Sequence, residues 1–349
     1  MNKLYVICPG KLSTHLSTMM HQSISDFSYS IICSTKNLPD LTNKKILFII
    51  EVDALGLSLP IMEVISKLYD RGNTALLGSS AAILVHSSND LYTKNAARDI
   101  IFLTNQLGCR FIGHPLVEAT GSLNTFLTWK KKLNLSLEEI CYILCKKLVY
   151  KLMNDQPDIL KSPKILALHS SSHKTSNTLL LWEIIKEHLA GYSIEQLHVE
   201  NGTVLDCIGC SFKTCKHYSK HNSCFYGGFM VEEIYPAIEK ADAIFWICPN
   251  YNDAISANLT AVINRLTSLY RRTPFYNKTL FSIIVSGNSG SDIVAKQLIA
   301  ALNINKGFRL PPYFALMCTA NDPESILKVT DLDKKVATFS QNIMKEIKA

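Results

Sequence analysis

The sequence predicts an α/β protein with two doubly wound parallel sheets in tandem, the first a degenerate copy of the second. Three observations carry this expectation. The chain has 349 residues, beyond the size at which a single hydrophobic core usually stops growing. Its second half alternates short, uniformly apolar runs with stripes of helical period. Several residues of the first half fall into step with the second at a nearly constant offset.

In the second half the elements follow in order. Lys164 to His169 reads as a strand, and Thr178 to Leu189 carries Leu181, Ile184, Ile185 and Leu189 at helical spacing. Ser193 to Val199 is a second strand, after which Val231, Ile234, Tyr235 and Ile238 mark one face of a helix. Ala243 to Cys248 is a fully apolar third strand. Leu259, Val262, Ile263, Leu266, Leu269 and Tyr270 then form the stripe of a long helix, with Ser256 as N-cap. Phe281 to Val285, a helix from Asp292, the run Tyr313 to Cys318, and a last helix with Val336, Phe339, Ile343 and Ile347 complete the series of βα units. Strands without polar alternation belong to a parallel sheet covered on both faces.

The first half repeats this order in shorter form. A shift of 200 positions sets Asp53, Ala54 and Leu59 on Asp253, Ala254 and Leu259, in each case after an apolar strand and at the start of a helix. A shift of 199 sets Gly108 and Arg110 on Gly307 and Arg309. Only a polar loop, Ser34 to Lys44, stands where the second half has a cysteine-rich segment and a helix. A helix from Leu137 to Met153 closes the first half. The expected division is a domain over 1–153, a linker over 154–163 and a domain over 164–349.

Hydrophobic residues make up 47% and charged ones 19%, which excludes disorder, collagen-like repeats and a long coiled coil. The net charge of +7 is spread over both halves without a basic arm, so no nucleic-acid partner is expected. The apolar stretch from Leu4 is broken at Pro9 and Gly10, too short for a secretory signal, and Glu51 and Asp53 interrupt the run from Ile46. A cytoplasmic protein without a membrane span is expected.

Eleven cysteines in so large a chain do not suggest a disulfide scaffold. Cys8, Cys33, Cys248 and Cys318 sit in apolar runs that read as buried strands, and Cys141 and Cys145 share a helix face, so core filling is expected of them. Cys207, Cys210, Cys215 and Cys224 differ, being crowded into one short segment rich in Gly, Ser, Lys and His. They suit a metal or cluster, or remain free thiols. His217 and His221, one helical turn apart, also allow zinc with Cys207 and Cys210.

Ligands of doubly wound sheets sit beyond the carboxyl ends of the strands, and three loops of the second half end there. Ser170 to Thr178 offers hydroxyls and backbone N–H groups at the positive end of a helix dipole, which suits a phosphate. It lacks the glycines of a Walker loop or a dinucleotide fingerprint. Cys248 to Ser256 places Tyr251 between two amides, fit to stack on a planar heterocycle. Ser286 to Asp292 has the small residues that admit close backbone approach.

These loops, the cysteine segment and the run EKADAIFWICPNYNDAISANLTAVINR resemble the NADPH-dependent FMN reductase family of flavodoxin-like proteins, above all its iron-sulfur flavoprotein branch, over about Ser162 to Pro312. The resemblance implies two flavodoxin-like domains, the first degenerate. It implies that Ser170, Ser172, Ser176, Asn177 and Thr178 bind the FMN phosphate and that Pro249, Asn250, Tyr251, Asn252 and Ser256 hold the isoalloxazine. Ser286, Gly287, Asn288 and Gly290 would touch the ring. In that branch four cysteines hold a 4Fe-4S cluster, a role that falls here on Cys207, Cys210, Cys215 and Cys224 with wider gaps. His169 stands where the family has Gly.

The expected function is an FMN-dependent oxidoreductase that takes electrons from NAD(P)H, or from an electron-carrier protein, and passes them to a small-molecule acceptor. The flavin carries that chemistry, so no catalytic side chain is expected. A non-enzymatic electron carrier and a flavin-free scaffold are the alternatives. The resemblance also implies assembly from identical subunits. The first half, lacking the hydroxyl run and the Tyr loop, is expected to bind no flavin and to serve as a built-in partner.

Overall fold

The computed structural model describes residues 3–156, 160–171 and 175–348. It divides into two compact units, Met1–Gln156 and Pro157–Ala349.

The first unit holds β1 (Leu4–Ile7), α1 (Thr14–Ile24), β2 (Tyr29–Ile32), β3 (Lys45–Val52), α2 (Leu59–Tyr69), β4 (Ser80–Ser87), α3 (Thr93–Asn105), β5 (Arg110–Ala119), α4 (Leu127–Leu133) and α5 (Leu137–Met153). The second holds β6 (Lys164–His169), α6 (Asn177–His188), β7 (Ser193–His198), α7 (Phe212–Lys220), α8 (Tyr235–Lys240), β8 (Ala243–Pro249), α9 (Ala257–Tyr270), β9 (Thr279–Ser286), α10 (Ser291–Leu298), β10 (Ala315–Thr319) and α11 (Leu332–Lys348). Among the described residues no helix is long and apolar enough to cross a membrane.

Each sheet is five-stranded and parallel throughout, in the orders β2-β1-β3-β4-β5 and β10-β9-β8-β6-β7. Numbered within its own unit, the second has the same order as the first. The central strands β8 and β9 are buried along their whole length because helices cover both faces, which explains why neither alternates. On one face Ile165, Ala167, Phe245, Ile247, Phe281 and Ile283 pack against Leu181 and Trp182 of α6 and Val336 and Phe339 of α11.

Two sequence expectations change. Tyr313 is not strand: its φ of 49° makes a left-handed turn, and β10 begins at Ala315. Cys33 lies past the end of β2 and is exposed, its sulfur 3.9 Å from that of buried Cys8, so it fills no core.

Candidate functional site

The loops that follow β6, β8, β9 and β10 meet at the carboxyl edge of the second sheet and enclose a cavity of about 380 Å³. From the first loop Ser171, Thr175, Ser176, Asn177 and Thr178 line it. Ser176 is the N-cap of α6: its hydroxyl accepts the N–H of Leu179 at 3.4 Å and donates to Ser171 Oγ at 3.0 Å. The first N–H groups of a helix lack partners within it, so this end attracts an anion. Ser172 lies outside the described residues. Ser170 is buried behind the cavity, its hydroxyl 2.7 Å from that of Ser256, and this bond ties the first loop to the start of α9.

The side chain of Asn177 does something the sequence does not suggest. Its amide nitrogen donates to the carbonyls of Ala320 (3.1 Å) and Asp322 (2.8 Å), and its oxygen accepts the N–H of Ile326 at 3.2 Å. Asn177 therefore clamps the loop after β10, which brings Ala320, Asn321 and Pro323 into the cavity wall. That loop was not among the expected site segments. Its Ala, Asn, Asp and Pro look like an ordinary turn, and only the hydrogen bonds from Asn177 reveal it.

The second loop presents Tyr251 to the cavity, 55% exposed, on a turn where Asn252 and Asp253 both take left-handed φ values (53° and 59°). Pro249 and Asn250 also line the cavity. The Asn250 amide donates to Ser286 Oγ (2.9 Å), Ser289 O (3.1 Å) and Asp253 Oδ1 (3.2 Å), binding the second loop to the third. Its own Oδ1 is buried with no partner. Ser286 is 2.6 Å from Ser291 Oγ, so both sit behind the wall as braces. Gly290 has φ +87°, and a Cβ there would come within 1.9 Å of Asp253 Oδ1; at Gly287, which lines the cavity, a Cβ would meet Asn321 Oδ1 at 2.7 Å. Neither position admits a side chain without rearrangement. Asn252 and Asn288 are exposed and do not line the cavity.

A wider hollow of about 630 Å³ adjoins the first, sharing Gly287, Ala320 and Asn321 with it. At the end of β6, His169 stacks on His198 at 4.6 Å between ring centroids. Burial, and then the His198 ring, push its pKa down to about 4, so the imidazole is neutral near pH 7.

The four clustered cysteines gather around a separate cavity of about 110 Å³ against α9. Three sulfurs accept hydrogen bonds: Cys207 from the N–H of Gly209, Cys215 from Arg271 Nε and Cys224 from Arg265 Nε, each at 3.4 Å. Burial, and then the other three cysteines, raise the pKa of Cys210. His217 and His221 are exposed and outside this cavity, and among the described residues no group of three or more His, Cys, Asp or Glu is arranged to hold a metal ion. Neither the zinc set of Cys207, Cys210, His217 and His221 nor the set of four cysteines is therefore assembled as a metal site among the described residues.

In the first unit the corresponding edge is filled by the chain itself. The Glu51 carboxylate accepts the N–H of Ser13, the N-cap of α1, at 2.8 Å, and lies 2.5 Å from His86 Nδ1. Asp53 Oδ1 accepts the N–H groups of Leu55 and Leu57, closing the turn after β3 on itself.

The sequence model of the NADPH-dependent FMN reductase family matches residues 163–322. No curated protein matches the chain. Among solved structures, an NAD(P)H:quinone oxidoreductase from Methanothermobacter marburgensis is 15% identical with a TM-score of 0.41, covering 52% of this chain and 97% of that one. RosB, solved with a bound 8-demethyl-8-formylriboflavin-5'-phosphate intermediate, is 16% identical with a TM-score of 0.39, covering 54% of this chain and 82% of that one.

Proposed function

We infer that the second unit, which over residues 163–322 matches the model of the NADPH-dependent FMN reductase family, binds FMN in the 380 Å³ cavity and oxidises NAD(P)H, passing the electrons to a small-molecule acceptor. It is a flavin oxidoreductase. What supports this place for the cofactor is the meeting of three separate loops at one cavity. A helix N-terminus with Ser171, Thr175 and Ser176 stands at one side, and exposed Tyr251 with the glycine loop at the other. The residues fit FMN: the α6 terminus takes a dianion, Tyr251 offers an aromatic face, and the orphaned Asn250 Oδ1 would accept an N–H from the ring edge.

FMN, when bound, supplies the hydride-accepting and electron-transferring chemistry. The chain's own residues bind and orient it. Ser176 and the N–H groups of α6 hold the phosphate, and Asn177 holds the loop after β10 against the same cavity. Asn250 fixes the distance between the two loops that flank the ring. No side chain has to move a proton at the reacting carbon, and none is named as catalytic.

The second part of the proposal concerns Cys207, Cys210, Cys215 and Cys224, which surround one cavity with hydrogen bonds directed at three of their sulfurs. Such N–H···S bonds suit cluster-bearing thiolates, and the resemblance implies a 4Fe-4S cluster, which would have to draw the four sulfurs into a ligand arrangement that they do not have here.

One anaerobic preparation tests both parts. NAD(P)H should bleach a flavin absorption band near its visible maximum, and iron analysis should find about four irons per chain. A flavin that only a reduced carrier protein bleaches would make the chain an electron carrier. Iron-free protein from iron-supplied, anaerobic cells would remove the cluster.

A further inference from the structure

The first unit holds a pair of thiols that the flavin chemistry of the second does not use. Strands β1 and β2 run parallel, with Leu4 beside Tyr29 and Ile7 beside Ile32. The ladder continues beyond them, because the N–H of Cys8 donates to Ile32 O at 2.9 Å. Cys8 and Cys33 therefore stand side by side at the carboxyl edge of the sheet, their sulfurs 3.9 Å apart. Neighbouring strands lie about 4.8 Å apart, inside the span of about 4.4–6.8 Å between Cα atoms that a disulfide bridges. The pair can bond through side-chain rotation, without a backbone shift.

The two sulfurs differ in access. Cys33 is exposed, whereas Cys8 is buried (5% exposed). Burial, and then Cys33, push the Cys8 pKa up to about 12. Cys8 is thus a poor first attacker, and the contribution of Cys33 ends once that sulfur is capped. Cys141 and Cys145 of α5 also neighbour one another, but both are buried, so neither meets an oxidant first.

We propose that Cys33 and Cys8 form a thiol–disulfide exchange site for small-molecule disulfides, and that the bond they make straps β2 to β1. Cys33, as the thiolate, attacks one sulfur of the small disulfide; an S–S bond forms to Cys33, the old S–S bond breaks, and one small thiolate leaves. Cys8 then attacks Cys33 Sγ, closes the Cys8–Cys33 bond and expels the second small thiolate, which takes up the Cys8 proton. Two protein thiols are oxidised and one small disulfide is reduced to two thiols. Excess small thiol runs both steps backwards.

The place of the pair gives the bond its effect. β2 has four residues and stands at the sheet edge beside β1, with Tyr29 and Ile31 exposed. A short, exposed edge strand opens more readily than the strands inside the sheet. A bond from Cys33 to Cys8 closes the chain between them into a loop and takes freedom from its open states.

The test uses the full chain, reduced and then treated with oxidised glutathione, after which free thiols are alkylated under denaturing conditions and the cysteine peptides are weighed. Wild type should link the Cys8 and Cys33 peptides with loss of a pair of hydrogens, and dithiothreitol should release the link. Cys8→Ala, which keeps a small apolar group in the buried place, should hold one glutathione on Cys33, since nothing resolves it. Cys33→Ser should leave Cys8 as a free thiol. Amide hydrogen exchange over Tyr29–Ile32 should be slower by about tenfold or more in the oxidised wild type than in the reduced, and unchanged in Cys33→Ser treated alike. Wild type that takes up no glutathione, or stops at glutathione on Cys33 with Cys8 still alkylated, would overturn the exchange site. A Cys8–Cys33 link that leaves exchange over β2 unchanged would overturn the strap.

Discussion

At the residue scale, position along the chain and role in the site come apart most clearly at Asn177. It follows the N-cap of a helix at the carboxyl edge of a sheet, where a polar residue is expected to meet phosphate. Its amide instead holds Ala320, Asp322 and Ile326, more than 140 positions further on. Hydroxyls and glycines after an apolar strand can be read as a ligand loop because they act locally, through a helix end or a left-handed turn. The partner of a side-chain amide depends on which distant loop the fold brings beside it. The same limit hid the brace made by Ser170 and Ser256, and the exposure of Cys33. Replacement separates the two kinds of residue. Ser176→Ala should weaken FMN roughly tenfold or more while changing riboflavin much less, since a charge-assisted bond to phosphate is worth about 1.5–3 kcal/mol. Asn177→Ala should weaken both ligands alike, because the loop it releases forms one wall of the cavity that both ligands share. Fluorescence titration of the flavin-free protein reads both, and a loss confined to FMN in Asn177→Ala would return that amide to the phosphate.

Among the elements, those with strong periodicity were legible and those without it were not. β6, β8 and α9 match their apolar patterns to within about a residue or two, whereas the π-helical turn at Met230–Ile234 was legible only as ordinary helix, through Val231 and Ile234, and neither it nor the one at Ile299–Ile304 showed its wider period in the sequence. The start of α1 makes the more instructive case. Its Ser13 cap resembles Ser176, yet the anion at this helix end is the chain's own Glu51. Burial pushes the Glu51 carboxyl up, but hydrogen bonds from His86 and Ser13 more than offset it and hold its pKa below the usual value. A depressed carboxyl contributes stability above its unfolded pKa, and that contribution is lost as pH falls through the folded value. Glu51→Gln should therefore loosen α1 at pH 7 by about 1–3 kcal/mol and flatten the loss of protection on the acid side. Amide hydrogen exchange of α1 at neutral and acid pH measures this. Equal protection in wild type and variant at both values would show that the carboxylate holds nothing there.

On the scale of the whole molecule, two units share one strand order and differ in what their carboxyl edges offer. In the second, hydroxyls, Tyr251 and Gly287 surround a cavity. In the first, Glu51 occupies the helix end and Asp53 closes the neighbouring turn. The repeat was visible in the sequence because the two units keep the same strand order while their loops differ. The filling of the first edge was not, since it takes a Glu and a Ser that lie 38 positions apart. A chain with one open edge and one self-occupied edge should carry a single flavin. The most direct measurement is the flavin released by acid from anaerobically purified full-length protein, identified by chromatography and counted against protein concentration. One FMN per chain is the predicted result; a colourless protein, or two flavins per chain, would contradict it.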